Sequence, residues 1–310
     1  MTDFPFGPAL LFCPADRPDR YAKAIERADA VILDLEDAVD PANRERAREA
    51  LIATPLDPSR VIVRVNPAGT PDHAADIVAL RRTAYSAVML PKAERASDVA
   101  ALVGFQVVAL CETAAGVLGA DDLAAVDGVV ALMWGAEDLI ASLGGTSSRR
   151  PNGAYRDVAV HARSSVLLAA GAHGKAAVDT VHLDIGDRDG LAAEAADAAA
   201  VGFAATACIH PDQVEVIRAA YRPTDEEVAF ARDLLAAADA AASGLAFGAA
   251  SGLASEPADA ALRGSAQALG DRRGGVFRFR GRMVDGPILR HAETVLRRAG
   301  TQRSDHGNRL

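Results

Sequence analysis

The chain has only three cysteines in 310 residues, Cys13, Cys111 and Cys208, and no CxxC pair. An odd number with no such pair argues against a disulfide framework and leaves a zinc cluster without ligands. Each cysteine lies in or near the end of a β-like run, so buried free thiols are expected. No uninterrupted apolar stretch approaches the roughly 18 to 20 residues that span a bilayer, because even the Ala-rich segments carry acids. The opening run MTDFPFGPALLFCPADRP lacks a basic n-region and is broken by Pro8 and Pro14, so a cytoplasmic protein without leader or membrane anchor is expected. The 33 Lys and Arg residues are scattered and the formal charge is −9, which offers no cationic track for nucleic acid. No GxGxxG follows the first strand-like run, so the dinucleotide-binding fingerprint is missing.

What is present is regular. Half of the residues are apolar, enough for a large core in one principal domain. Short β-rich runs fall at Ala9 to Pro14, Ala30 to Glu36, Val61 to Asn66, Ala87 to Lys92, Val107 to Glu112, Gly128 to Gly135, Thr180 to Asp184 and Ala205 to Pro211. Each is separated from the next by enough chain for a helix. The runs are apolar on both faces until their last residues, as in a parallel sheet covered by helices. Eight such units predict a (β/α)8 TIM barrel.

Helical signals agree. Pro41 to Leu51 opens with Pro and is rich in helix formers. Thr224 and Glu227 have capping-box spacing, and Ala231, Leu234, Leu235 and Ala238 form a stripe, so Thr224 to Asp239 is a helix following the eighth strand. The barrel is therefore expected over 1–239. Residues 240–275, rich in Ala, Gly and Ser, read as a flexible linker, and 276–310 as a C-terminal arm ending in a helix from Pro287 to Ala299.

Strand parity brings the polar residues together. Ile32, Asp34 and Glu36 share a face, as do Ile62, Arg64 and Asn66, and Val108, Leu110 and Glu112. If these faces point inward, the carboxyl mouth of the barrel holds several acids with Arg64 and Lys92, and Glu137 and Asp138 follow the sixth strand. Acids crowded in one cavity repel one another unless neutralised, and Mg²⁺, which takes only one or two protein carboxylates, leaves room for a chelating hydroxy or oxo acid. An acid at a strand end also serves as a helix N-cap, which is the plain structural account of Asp37 or Asp138 taken singly.

Eight ordered blocks resemble the HpcH/HpaI aldolase and citrate lyase superfamily, specifically its stand-alone citrate lyase beta-subunit-like members. They are LFCPADRPDRYAKA (11–24), VILDLEDAV (31–39), VIVRVN (61–66), AVMLPKAE (87–94), ALCETAAGV (109–117), MWGAEDLIASLGG (133–145), CIHPDQV (208–214) and GRMVDGPILRHAE (281–293). The resemblance implies Mg²⁺ on Glu112 and Asp138, Arg64 gripping the carboxylate and carbonyl end of a small acid, Lys92 beside the substrate, and Glu36 and Asp37 just behind. It implies reversible cleavage of a 3-hydroxyacyl-CoA of the malyl-CoA or citramalyl-CoA kind into acetyl-CoA and a 2-oxo acid. Thioesterase or malate-synthase-like side activity would use Asp285, which could instead be the N-cap before Pro287. The CoA thioester would meet Pro14, Arg17 and Arg20, or the Ser147 to Arg150 loop. A homotrimer is implied, with the arm over a neighbouring barrel. The alternatives are a citrate lyase beta subunit acting on a carrier-bound citryl group, and a metal aldolase independent of CoA.

Overall fold

The computed structural model describes residues 4–249 and 276–307. Eight strands close into one parallel barrel in chain order: β1 Ala9–Pro14, β2 Ala30–Asp34, β3 Val61–Arg64, β4 Ala87–Leu90, β5 Gln106–Cys111, β6 Val129–Trp134, β7 Ala176–Asp179 and β8 Ala205–Cys208. Pairing of Ala9, Leu10 and Leu11 with Thr206, Ala207 and Cys208 joins the first strand to the last. The helices are α1 Tyr21–Arg27, α2 Arg44–Ala53, α3 Pro71–Leu80, α4 Ala96–Ala100, α5 Ala114–Leu118, α6 Ala120–Ala124, α7 Ala136–Ser142, α8 Asp157–Ala172, α9 Arg188–Val201, α10 Pro211–Tyr221, α11 Asp225–Ala249 and α12 Gly286–Gly307.

Alternation along the strands makes two cores. Leu10, Ile32, Ile62, Met89, Val108, Leu110, Met133 and Val178 fill the barrel interior. Their neighbours Leu11, Val31, Leu33, Val63, Leu90, Leu132 and Trp134 pack outward on the helices. The interior also takes Ala30, Ala87, Ala131, Ala176, Ala205 and Ala207, small residues that let the larger ones interdigitate. Burying each large aliphatic side chain contributes about 1.5–3 kcal/mol.

Seven strand-like runs of the sequence fall on β1 to β6 and β8. The seventh is corrected: Thr180 to Asp184 lies beyond the strand, which is Ala176–Asp179. The segment Ala-Ala-Val-Asp has little β propensity of its own. It is extended because its backbone pairs with Ala131 to Met133 on one side and Ala205 to Thr206 on the other.

The chain divides into two compact units, Met1–Tyr221 and Arg222–Leu310. The second contains α11, α12 and a hairpin of β9 Phe277–Phe279 and β10 Arg282–Val284. Thr224 and Glu227 form the expected capping box: Thr224 N–H donates to Glu227 Oε2 (2.7 Å) and Glu227 N–H to Thr224 Oγ1 (3.2 Å). Ala231, Leu234 and Ala238 pack with Val284, Leu289 and Ala292. Helix α11 runs on to Ala249, and residues 250–275, most of the stretch expected to be a linker, lie outside the described residues. Among the described residues no helix is long and apolar enough to cross a membrane.

Candidate active site

At the carboxyl ends of β2 to β6 the polar side chains of the first unit converge. Arg64, last residue of β3, is the centre. Its Nε and Nη2 donate to Asp34 Oδ1 and Oδ2 at 2.7 and 2.6 Å, a two-pronged ion pair in which Asp34 is fully buried. Nη1 lies 3.1 Å from Glu36 Oε2, an oxygen that is buried without an aligned hydrogen bond. The ring of Phe12 lies under the guanidinium, 4.8 Å from centroid to Cζ.

Local backbone chemistry explains why Glu36 still faces the mouth two residues beyond β2. Asp34 accepts from the N–H groups of Glu36 and Ala38, both at 3.0 Å, and so caps the turn that carries Glu36 and Asp37. Asn66 departs from the parity reading. Beyond the end of β3 its amide turns to Asp76 of α3 rather than into the mouth.

Lys92 binds with both of its ends. The residue takes the left-handed backbone region at φ 48°, its N–H donates to Glu112 Oε1 (3.1 Å) and its Nζ to Glu36 Oε1 (2.5 Å). Nζ also lies 3.7, 3.8 and 3.7 Å from carboxylate oxygens of Asp37, Glu112 and Asp138. Four acids from three loops thus surround one ammonium.

Glu112 follows β5, and Thr113 next to it caps α5 by accepting from Gly116 N–H (3.0 Å). Gly135, before α7, is required by close approach: a Cβ there would stand 2.8 Å from both Cβ and Oε2 of Glu112. Glu137 and Asp138 part company in the first turn of α7. Glu137 accepts from the buried Ser148 hydroxyl (2.6 Å), whereas Asp138 is the one within 4 Å of Lys92.

The charges do not balance. Asp34, Glu36, Asp37, Glu112 and Asp138 face only Arg64 and Lys92 as cations in this cluster. Burial, then the charge of Asp138, pushes Glu112 up to about 8 despite Lys92 and Arg64. Burial likewise raises Glu36, with Arg64 and Lys92 opposing. Burial works against the charge on Arg64 and Lys92, but the ion pairs with Asp34 and Glu36 outweigh it and hold both protonated. The arrangement fits Mg²⁺, which is satisfied by two carboxylates and otherwise takes water and ligand oxygen. No group of three or more His, Cys, Asp or Glu among the described residues is arranged to hold a metal by itself.

The other candidates do not join the charged cluster. Pro14 is half-buried at the end of β1, Arg17 is paired with Asp19 (3.0 and 2.8 Å), and Arg20 is exposed. A groove of about 430 Å³ beside them is lined by Arg17 and Arg46, but also by Asp16, Asp19 and Glu49. In the Ser147 to Arg150 loop, Arg149 is committed to Glu194 and Tyr155, and Arg150 to Asp157. Asp285 belongs to the second unit; its exposed side chain accepts from Ile288 N–H at 3.4 Å, as an N-cap does. Sequence reasoning had placed Asp34 on the inward face without giving it a role, and had missed Phe12 and Gly135. Only the run Asp34-Leu-Glu-Asp carried a readable sign of the first.

Comparison with known proteins agrees with this geometry. The HpcH/HpaI aldolase/citrate lyase family model matches residues 9–211. A citrate lyase subunit beta-like protein of Mycobacterium tuberculosis is 53% identical over 299 residues, covering 96% of this chain and 98% of the relative. The chain belongs to the HpcH/HpaI aldolase/citrate lyase family. Its class is that of a lyase, and the match takes in β1 through the start of α10, every residue of the charged mouth included. A (3S)-malyl-CoA thioesterase of Cereibacter sphaeroides is 36% identical over 240 residues, 74% of this chain and 82% of that one. The crystal structure of CitE from M. tuberculosis in complex with magnesium, acetoacetate and coenzyme A superposes with a TM-score of 0.81 at 54% identity, covering 95% of this chain and 98% of that one.

Proposed function

We propose that this protein is a Mg²⁺-dependent acyl-CoA lyase that reversibly cleaves a 3-hydroxyacyl-CoA of the malyl-CoA or citramalyl-CoA kind into acetyl-CoA and a 2-oxo acid. The observation that carries the reading is the excess of carboxylates around Arg64 and Lys92, with Glu112 pushed up to about 8 by burial and by the charge of Asp138. Glu112 and Asp138 would hold the ion, whose chemistry when bound is to neutralise them and polarise the oxygens of a chelating acid. The CitE structure with magnesium, acetoacetate and coenzyme A supports the use of Mg²⁺ and a CoA thioester.

The chain's own residues have separable tasks. Asp34 holds one edge of the Arg64 guanidinium, which leaves N–H groups on Nη1 and Nη2 to take the substrate carboxylate as a fork. Phe12 closes the other side and keeps water from the guanidinium face. Lys92 Nζ keeps its proton and presents positive charge to offset the negative charge that builds on the substrate oxygen as the hydroxyl proton departs. In the cleavage itself the substrate hydroxyl loses its proton and becomes the carbonyl of the 2-oxo acid as the carbon–carbon bond breaks, and the α-carbon of the released thioester enolate gains a proton to give acetyl-CoA.

Arg17 and Arg20, with Pro14, are the proposed approach for CoA, Arg17 at the rim of the groove beside α2. The same reading takes the protein as a cytoplasmic homotrimer in which the second unit serves a barrel mouth. Exposed Val276 and Met283 give that unit apolar surface for a neighbour. Thioesterase activity is the second reading, favoured by the malyl-CoA thioesterase relative and by the exposed carboxylate of Asp285.

The test is acetyl-CoA release from malyl-CoA and citramalyl-CoA by the purified protein, with and without Mg²⁺, beside Glu112→Ala. Metal-dependent release that the variant loses is expected. Release of free CoA instead would transfer the assignment to thioesterase chemistry. Turnover of the free acid would mark a CoA-independent aldolase, and inactivity of folded, Mg²⁺-loaded protein would point to a carrier-bound citryl substrate.

A further inference from the structure

Behind the mouth, outside the cluster that faces substrate, lies a second buried polar chain. Asp76, on α3, is fully buried and receives three donors: Arg48 Nε of α2 on Oδ1 (2.7 Å), and Asn66 N–H and Asn66 Nδ2 on Oδ2 (both 2.8 Å). Asn66 is 1% exposed. Its Nδ2 has a second acceptor, the carbonyl oxygen of Leu35 at 3.0 Å, and the Asn66 backbone carbonyl meets His73 Nδ1 at 2.9 Å. The amide orientation is fixed by its surroundings. Turned over, its oxygen would face the Asp76 carboxylate and the Leu35 carbonyl, two acceptors and no donor.

Leu35 is the residue that matters for the mouth. It sits between Asp34, which grips Arg64, and Glu36, which holds Lys92, and its N–H donates to the Arg64 carbonyl at 2.9 Å. The segment carrying Asp34 to Glu36 is therefore tied at two points, by the Leu35 N–H to Arg64 at the end of β3 and by the Leu35 carbonyl to Asn66 just beyond it. β2 itself ends at Asp34, so the ladder does not hold the next residues.

We propose that Asn66 is a positioning residue, oriented by Asp76 and Arg48, that fixes the Asp34-Leu35-Glu36 segment against Arg64 and so sets the guanidinium fork for the substrate carboxylate. The inference rests on the mouth being the acid-binding site. Glu112 and Asp138 come from the β5 and β6 loops and are linked to this segment through Lys92, whose N–H holds Glu112 from its own backbone, so substrate grip and metal grip can be told apart.

The test compares unaltered protein with Asn66→Ala, using amide hydrogen exchange, binding of pyruvate in the presence of Mg²⁺, and Mg²⁺ affinity. In the variant, exchange at Leu35, Glu36 and Ala38 is expected to quicken at least tenfold and pyruvate affinity to fall about tenfold, with Mg²⁺ affinity within twofold. A merely structural role would weaken pyruvate and Mg²⁺ together. Should Asn66→Ala not fold, the double exchange Asn66→Asp with Asp76→Asn restores an amide–carboxylate pair but leaves the Leu35 carbonyl without its donor. Recovered folding with pyruvate binding still weak is expected there. Unchanged exchange at Leu35 to Ala38, or full pyruvate affinity in the folded double variant, overturns the inference. If unaltered protein does not bind pyruvate, the functional reading fails, and the exchange comparison still decides the role of Asn66.

Discussion

Two sectors of the same barrel handle buried acids in opposite ways. After β7 the acids have dedicated partners: buried Asp179 takes Trp134 Nε1 (2.5 Å) and Arg163, and half-buried Glu194 takes Arg149 and His182. After β2, β5 and β6, Glu36 and Glu112 crowd one ammonium with Asp37 and Asp138 nearby. Two residues of one type register the contrast. Burial pushes Glu194 up, yet its bonds to Arg149 and His182 bring it below its ordinary value, whereas Glu112 is driven up to about 8. Acids that hold the fold arrive with partners, and acids that await a ligand do not.

The largest effect expected is from Glu112→Gln, set against Glu194→Gln. The first should lower Mg²⁺ affinity at least about a hundredfold while leaving or raising the melting temperature, because it removes a buried, under-compensated charge. The second should leave Mg²⁺ affinity intact and cost about 1–3 kcal/mol of stability, since Arg149 loses its partner. Calorimetric titration with thermal unfolding checks both. Equal losses of stability would erase the distinction between the sectors.

Next in size is a pH effect of predictable sign. Glu112 binds its proton more tightly folded than unfolded, so its contribution to the metal-free protein is complete below the ordinary carboxylate value and is lost as pH rises toward about 8. Glu194, lowered by folding, contributes above its ordinary value and loses that contribution as pH falls. Mg²⁺ must displace the Glu112 proton, so its affinity should rise about tenfold per pH unit below 8 and level off above. Titrations at pH 6, 7, 8 and 9 measure this, and a flat profile would remove the raised carboxyl from the metal site.

Gly135→Ala should act on one sector only. A methyl group 2.8 Å from Glu112 forces that side chain aside, and about a tenfold loss of Mg²⁺ affinity with 1–3 kcal/mol of destabilisation is expected from titration and melting. Smallest is Arg17→Ala: its solvent-screened pair with Asp19 contributes little, so stability should hold while KM for the CoA thioester rises about two- to threefold.

Much of this contrast is legible in the amino-acid sequence. Parity along apolar strands put Glu36, Arg64 and Glu112 on one face because the barrel keeps the two-residue period up to its rim. It failed at Asn66 because the ladder ends at Arg64, and the direction of a residue beyond it is set by a partner, Asp76, ten positions on. β7 escaped because two alanines carry no strand signal without their neighbours in the barrel. The difference between Glu137 and Asp138 was equally out of reach of local pattern, since it depends on Ser148, brought back by the loop after α7. What the residues state about themselves was readable, and what depends on who sits opposite was not.

Lys92 shows how such a site resists drift. Its backbone occupies a region in which a non-glycine residue costs about 1–3 kcal/mol, so glycine is the substitution that relaxes the turn most. It is also the one that strips four acids of the cation among them. Comfort of the chain and balance of the site demand different residues at this one position, and a lysine there records which demand has prevailed.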